Sequence, residues 1–265
     1  MVDVLALLPP EDIQRLSLQT QQHYAALTST LLSRLKMRQF YDLFPDQDRL
    51  DADGNVVIYA RRHYPRHLEF FEAGASYRER CFLAANRVGK TTCGAYETTC
   101  HLTGIYPDWW TGRRFTQPVR VWACGRRNET TRDIVQKSLL GPVAYDGMRK
   151  VLEGTGMVPG HLIGRVTWKR GVDDLTDTVR VRHSAGGWST LGLKSYEQGR
   201  GSFEGTAQHL IWFDEEVPED VYGEGLIRTM TTQGMILLTF TPLEGMTKTV
   251  LQFQLSSDKA TLGHM

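Results

Sequence analysis

Two short stretches carry residues able to work on a phosphate. The first, "AANRVGKTTCGAYE" (84–97), ends in Gly89-Lys90-Thr91 and the start of a helix-like run. Gly89-Lys90-Thr91 is the end of the pattern G-x-x-x-x-G-K-[ST], with Ala84 where the first glycine belongs. A phosphate loop brings backbone N–H groups up to negative oxygens at a helix N-terminus. In that role Gly89 lets the backbone approach, Lys90 reaches the β- and γ-phosphates and Thr91 ligates Mg²⁺. The second stretch is "LIWFDEE" (210–216), an apolar run from Leu210 to Phe213 that leads straight into Asp214-Glu215. A buried strand of this kind delivers Asp214 to a metal and sets Glu215 beside an attacking water. Each signal alone is weak: a GKT tripeptide occurs in ordinary loops, and strands often end in exposed acids. Together and in this order they predict hydrolysis of ATP with Mg²⁺. Further on, "ILLTFTP" (236–242) offers Thr239 and Thr241 as groups that could sense the γ-phosphate, although β-branched residues suit any strand.

These residues need a scaffold, and the apolar periodicity supplies one. "RCFLAA" (80–85), "PVRVWACG" (118–125), "HLIWFDEE" (209–216) and "GMILLTFTP" (234–242) read as buried strands. "TTCGAYETTCHL" (91–102) reads as the helix behind the phosphate loop, and "NETTRDIVQKSLLG" (128–141) as a capped helix closed by Gly141. "TVRVRH" and "WSTLGL", joined through "SAGG", predict a β-hairpin over 178–193. Leu27, Leu31 and Leu35 recur at helical spacing, so residues 11–40 read as one or two amphipathic helices, and 44–55 as a polar connector. Strands alternating with helices predict an α/β layer fold with a mostly parallel central sheet, flanking helices and a β-hairpin insertion. No internal repeat or low-complexity segment interrupts it.

Composition narrows the function classes. The chain has 265 residues, 41% hydrophobic and 23% charged, with a net charge of +1. The whole molecule is therefore no general polyanion binder, and any nucleic-acid contact must come from a local patch. Basic pairs stand at Arg61-Arg62, Arg113-Arg114, Arg126-Arg127 and Lys169-Arg170; each alone reads as a solvated face. The four cysteines show no CxxC spacing, which argues for reduced thiols rather than zinc. Asp173, Asp174 and Asp177 sit in a turn-like context and read as solvated rather than as a metal site. "GRGSFEG" (199–205) lacks the strand-to-helix turn of a dinucleotide site. No apolar run approaches the roughly 18 residues a membrane span needs, and the acidic N-terminal stretch is unlike a signal peptide. A soluble, intracellular protein is expected.

From about residue 62 to 247 the chain resembles the ATPase half of tailed-phage terminase large subunits, those of short-tailed enteric phages above all. The stretches that carry the likeness include "FFEAGASYRERCFLAANRVGKT", "NETTRDIVQKSLLG", "WFDEEVPEDVYGEGLIRT" and "TFTPLEGM". The resemblance implies a RecA-like core of the additional-strand type, ATP and Mg²⁺ as cofactors, and a motor that packages double-stranded viral DNA in the host cytoplasm. It implies a portal protein, a small terminase subunit and a homo-oligomeric ring as partners, with a monomer in isolation. Ala84 is tolerated, because terminases commonly lack the first glycine. The implied nucleotide-binding set is Ala85, Asn86, Arg87, Val88, Gly89, Lys90, Thr91 and Thr92. Tyr64 and His67 stand where the family reads adenine, although histidine lacks the two-sided amide contact of glutamine. Glu215, Lys90 and Arg87 are the implied catalytic groups, Thr91 and Asp214 the metal ligands, and Thr239 and Thr241 the coupling residues. Arg87 lies one position later than the loop arginine of several relatives, where this chain has Asn86, so phosphate contact and a solvated position both stay open. Arg126, Arg132, Arg200 and Arg228 are candidates for an arginine acting between subunits. The expected organisation is an N-terminal helical segment and connector over 1–55, the ATPase domain over 56–250 and a tail over 251–265, with no nuclease half. A helicase-like ATPase and a nucleotide-binding assembly module with little turnover remain as alternatives.

Overall fold

Alternate residues of the central strands enter two different cores, as the period of a pleated strand requires. Phe82, Trp212 and Leu237 face one side of the sheet, with Phe70, Phe71 and Tyr96. Their neighbours Cys81, Leu83, Phe213, Ile236 and Leu238 face the other side, with Tyr222 and Phe253. Burial on both faces is what near-continuous apolar runs such as "LIWF" encode. The computed structural model describes residues 38–242 and 247–262, together with helical positions at Thr20, Gln22, His23 and Leu27. The helices expected over 11–40 fall largely outside the described residues.

A short ribbon, β1 (Arg49–Leu50) with β2 (Val56–Ile58), precedes helix α1 (Pro65–Glu72). The main strands are β3 (Glu79–Leu83), β4 (Arg120–Gly125), β7 (Ile163–Trp168), β8 (Thr176–Arg182), β9 (Trp188–Ser195), β10 (Leu210–Asp214), β11 (Met235–Phe240) and β12 (Lys259–Leu262). They form one eight-stranded sheet in the order β12-β3-β11-β10-β4-β9-β8-β7. Strands β12 through β9 of that order are all parallel, and β8 and β7 extend it antiparallel. A separate hairpin joins β5 (Val143–Asp146) to β6 (Arg149–Leu152). Helix α2 (Lys90–Thr103) follows β3; α4 (Glu219–Met230) and α5 (Lys248–Leu255) pack on the opposite face. Between them in sequence lies α3, built from Asn128–Thr130, a π-helical stretch Thr131–Gln136 and Lys137–Leu140.

The strand–loop–helix, the 128–140 helix and the strands at 210–214 and 235–240 fall where the sequence places them. Three of these expectations gain detail. The hairpin over 178–193 forms as β8 and β9, and because β9 pairs parallel with β4 it belongs to the main sheet. The connector over 44–55 contains β1, whose partner is β2. The stretch expected to begin a tail at 251 instead completes α5 and supplies β12, which pairs with β3. Lys259 forms an ion pair with Glu79 at the start of β3 and donates to the Tyr222 hydroxyl at 3.0 Å, tying that edge to α4.

Beneath the phosphate loop, a buried network joins β3 to α2. Arg80 and Glu97 are fully buried and pair at 2.5 Å. The same carboxylate lies 3.2 Å from His101 Nε2, and His101 Nδ1 lies 3.0 Å from the Tyr106 hydroxyl, which accepts the Phe115 N–H at 2.7 Å. Burial lowers the His101 pKa, so the ring is neutral: Nε2–H donates to Glu97 and Nδ1 accepts from Tyr106. The pair is buried but not lone; each charge has hydrogen-bonding partners.

Candidate nucleotide-binding site

The loop lysine and threonine, the two acids and the two β11-end threonines gather at the C-terminal edge of the parallel strands, where ligands bind in open α/β sheets. β11 lies between β3, which carries the phosphate loop, and β10, which carries the acids. Trp212 and Asp214 lie level with Leu237 and Thr239 on the side of the sheet that faces α2, and Thr241, one residue past β11, meets Lys90 on that same side. The Thr239 hydroxyl donates to Asp214 Oδ1 at 2.7 Å and accepts the Trp212 indole N–H at 2.7 Å. The Thr91 hydroxyl, at the start of α2, lies 3.2 Å from both Asp214 oxygens. Lys90 Nζ donates to Ala84 O at 3.0 Å, Ala85 O at 2.6 Å and Thr241 Oγ1 at 2.8 Å. The Asn86 side-chain oxygen lies 2.8 Å from the Thr241 hydroxyl.

The electrostatics are those of an anion held in reserve. Asp214 is 4% exposed, and burial pushes its carboxyl up to about 6. Hydrogen bonds from Thr239 and Thr91 act the other way; Glu215 raises it further and Lys90 lowers it. Burial likewise lowers the Lys90 pKa, against the pull of Asp214. A carboxylate and hydroxyls are the hard oxygen donors that Mg²⁺ prefers, and Asp214 has no formal cation bonded to it, so Thr91 and Asp214 fit that ion.

Two non-glycine residues at the site have left-handed backbones: Arg87 at φ 63° and Glu215 at φ 71°. Such positions cost on the order of 1–3 kcal/mol each and persist only where the surroundings hold them. Glu215 is held on both sides. Its N–H donates to Thr239 O at 2.9 Å. The Tyr196 hydroxyl lies 2.8 Å from Asp214 O and 3.3 Å from Glu215 O. Gly89 also has a positive φ, 85°, and a Cβ there would come within 3.0 Å of His67 Nε2.

A cleft of about 990 Å³ opens over these groups. Of the residues singled out in the sequence, it is lined by Asn86, Arg87, Gly89, Lys90, Thr91, Thr92, Asp214, Glu215, Thr239, Thr241 and the pair Arg126-Arg127. Ala85 reaches the site through its carbonyl and Val88 is 42% exposed, but neither lines the cleft. Tyr64 and His67 do not line it either. His67 is buried below the loop, its ring centred 5.1 Å from Phe82 and 5.4 Å from Tyr64, and burial lowers its pKa. Arg132 binds Asp133 at 2.7 Å, while Arg200 and Arg228 both pair with buried Glu224, at 3.2 and 2.8 Å, so these three stand outside the cleft. The Asp173-Asp174-Asp177 group holds no metal geometry: Asp174 binds Lys150 and Tyr145, at 2.9 and 2.8 Å. No cluster of potential metal ligands of three or more His, Cys, Asp or Glu occurs among the described residues, and the four cysteines are buried free thiols.

Sequence reasoning missed Tyr196, Glu197 and Thr247, which also line the cleft, as does Glu216 at the end of the acid stretch. Glu197 accepts the Asn128 N–H at 2.8 Å, and Thr247 hydrogen-bonds to Glu216. No local pattern marks Tyr196, Glu197 or Thr247; they follow β9 and cap α5, which parallel pairing and packing bring to the cleft.

A parallel sheet with its acid strand one strand away from a GKT loop, and a threonine strand between them, defines a RecA-like P-loop nucleotide-binding fold. The particular family follows from comparison with known proteins. The family described as "Terminase large subunit, T4likevirus-type, N-terminal" matches residues 81–253. Over 223 residues the chain is 36% identical to the large terminase subunit of Salmonella phage P22, covering 77% of this chain and 44% of that protein. The chain belongs to the phage terminase large-subunit family, and it spans less than half the length of that curated relative. Among solved structures, the large terminase of a thermophilic bacteriophage in complex with ADP superposes with a TM-score of 0.50 at 13% identity, over 76% of this chain and 44% of that one. The large terminase ATPase domain of a Thermus phage gives 0.44 at 12% identity, over 74% and 78% of the two chains. Among the described residues, no helix is long and apolar enough to cross a membrane.

Proposed function

We propose that this chain is an ATP-hydrolysing motor unit that drives packaging of double-stranded viral DNA, working in the host cytoplasm as a ring with a portal protein and a small terminase subunit. The observation that carries the reading is the meeting of Thr91, Asp214 and Thr239 beside Lys90, in a family that packages DNA. Residues 56–250 supply most of this unit, with 1–55 as an N-terminal accessory segment.

When bound, Mg²⁺ supplies charge neutralisation for the β- and γ-phosphates and is held by Thr91 and Asp214. Lys90 exchanges its bonds to Ala84 O, Ala85 O and Thr241 for phosphate oxygens. The N–H groups of residues 85–92 cradle the phosphates at the start of α2. Glu215 accepts a proton from the attacking water, and its pinned backbone fixes where that carboxylate points. Thr239 bonds to Asp214, and Thr241 to the loop, so a change in the loop is transmitted to β11. Arg87 and Arg126 offer positive charge at the cleft, while Tyr64 and His67 brace the loop from below.

Steady-state ATP turnover tests the reading. Lys90→Ala is expected to abolish turnover with an intact melting temperature. Glu215→Gln keeps ATP bound but slows cleavage on the order of a hundredfold or more, and Asp214→Asn weakens the Mg²⁺ dependence. Unchanged turnover in Lys90→Ala overturns the site, and identical loss of binding in both acid variants overturns their separate roles.

A further inference from the structure

The layer covering one face of the sheet stops short of its antiparallel end. On that face α4 packs on β10 and β11, and Phe203 reaches Trp122 of β4, with ring centroids 5.8 Å apart. Register carries the same face onward: Arg120 of β4 lies beside Thr190 of β9, Thr190 beside Arg180 of β8, and Trp188 beside Arg182. On edge strand β7 a bulge sets Gly164 and Arg165 opposite Arg180, because Ile163 pairs with Val181 and Val166 with Val179. Arg120, Arg165, Arg180 and Arg182 are all exposed, and Trp188 is 42% exposed.

An antiparallel sheet with one wet face is ordinary. The charge on this face is not. The whole chain carries a net charge of only +1. Elsewhere Arg38, Arg61, Arg62 and Arg132 each pair with an acid, and Arg78, Arg113 and Arg114 are tied to backbone carbonyls at separate places rather than gathered on one face. Among the described residues none of the four arginines on this face pairs with an acid. Arg180 donates to the Thr190 hydroxyl at 3.0 Å, Arg120 to Ala207 O at 2.7 Å, and Arg182 lies 5.4 Å from the Trp188 ring centre. At the upper end, toward the nucleotide cleft, Lys169 and Lys194 stand near Asp177, and Arg170 is exposed in the following turn.

We infer that this face contacts the phosphate backbone of duplex DNA, an assignment that rests on the packaging function proposed above. The face is an open sheet surface rather than a pocket, which suits an extended polyanion and not a single phosphate. From Thr176 to Arg182, β8 runs about 20 Å at roughly 3.3 Å per residue, the length of about six base-pair steps at 3.4 Å each. Trp188 is engaged by Arg182, and a side chain at Gly164 would strike its ring at 2.5 Å. Trp188 is the single aromatic side chain beside four arginines here, so charge outweighs stacking and the surface grips backbone. Contacts of this kind position a duplex without reading its sequence.

The test is fluorescence anisotropy of a labelled mixed-sequence duplex, and of the matching single strand, against the full chain over a salt series. Combining Arg165→Gln, Arg180→Gln and Arg182→Gln is expected to weaken duplex binding more than tenfold at low salt. It should also flatten the log–log salt slope by about three, roughly one per lost phosphate contact. Arg62→Gln with Arg66→Gln, on the far side, should leave the slope in place. If the triple variant has lost its melting transition, the single changes Arg165→Gln and Arg182→Gln should each flatten the slope by about one. A wild type that binds duplex with a slope untouched by these changes overturns the surface and leaves the DNA motor standing. A wild type that hydrolyses ATP yet binds no duplex at low salt overturns both the surface and the DNA-handling half of the proposed function. Tighter binding to the single strand, lost on Trp188→Ala, overturns backbone contact in favour of stacking.

Discussion

Tyr196 acts on the site through the backbone of its acids rather than through their carboxylates. Its hydroxyl meets the carbonyls of both Asp214 and Glu215 from a buried position, so it holds the peptide on which the two acids sit. Tyr196→Phe keeps the ring and removes that hold. The expected result is a fall of about tenfold in kcat with little change in KM for ATP, as for a positioning residue whose effect is confined to the transition state. A raised KM at unchanged kcat would show that it serves binding instead. Asp214 makes a second residue-level prediction. Its carboxyl titrates near 6 in the folded protein because burial disfavours the charged form. In an unfolded chain it titrates near the ordinary value of about 3.9. The folded state therefore binds the proton more tightly, and metal-free stability attributable to this group falls as pH rises from about 4 through 6. Asp214→Asn should consequently gain on wild type across that window, by up to about 3 kcal/mol at neutral pH. Urea unfolding of both proteins at pH 4 and 7.5 without Mg²⁺ measures it; a difference that does not change with pH would mean that the carboxyl is solvated.

Among the elements, α2 and β10 are in closest contact at Gly94. A Cβ there would lie 2.4 Å from the indole of Trp212, whose N–H supports Thr239. Helix propensity favours Gly94→Ala by about 1 kcal/mol, but forcing atoms into a filled core costs typically 1–3 kcal/mol. The clash should win: the variant melts lower and, because Trp212 is displaced, loses Mg²⁺-dependent turnover as well. A higher melting temperature would show that β10 yields freely. The same pair of elements shows what the sequence discloses. Apolar runs of strand length with Gly-Lys-Thr and Asp-Glu at their ends made β3, α2, β10 and the meeting of Thr91 with Asp214 legible. Thr239 and Thr241, offered by the sequence as phosphate sensors, both hydrogen-bond within the site. Tyr196 was hidden because parallel pairing of β9 with β4 joins residues some seventy positions apart with no local signal. β12 was hidden for the same reason, its four residues being too few for a period to show. Tyr64 and His67 occupy motif positions, yet Phe44 and Phe82 enclose them, which no spacing reveals.

At the scale of the whole molecule, the cleft is short of a committed arginine. Arg132, Arg200 and Arg228 are engaged by Asp133 and Glu224, whereas Arg87, Arg126 and Arg127 line the cleft without an ion pair among the described residues. An arginine placed on the γ-phosphate is worth on the order of a thousandfold or more in rate. If a neighbouring copy provides it, turnover per subunit rises with protein concentration as oligomers form, which a dilution series with light scattering follows. A flat, fast rate in a proven monomer, lost in Arg87→Ala, would place that arginine within the same chain. The edge of the sheet adds a mechanical consequence. β12 lies parallel to β3 with Leu262 level with Phe82, one residue short of the end of the strand that leads into the phosphate loop. Tension on the chain at Leu262, drawn along the strand axis, would load every rung of the β12–β3 ladder at once, in shear rather than by peeling. A pull there and a movement of the phosphate loop would thus be two ends of one stiff rod.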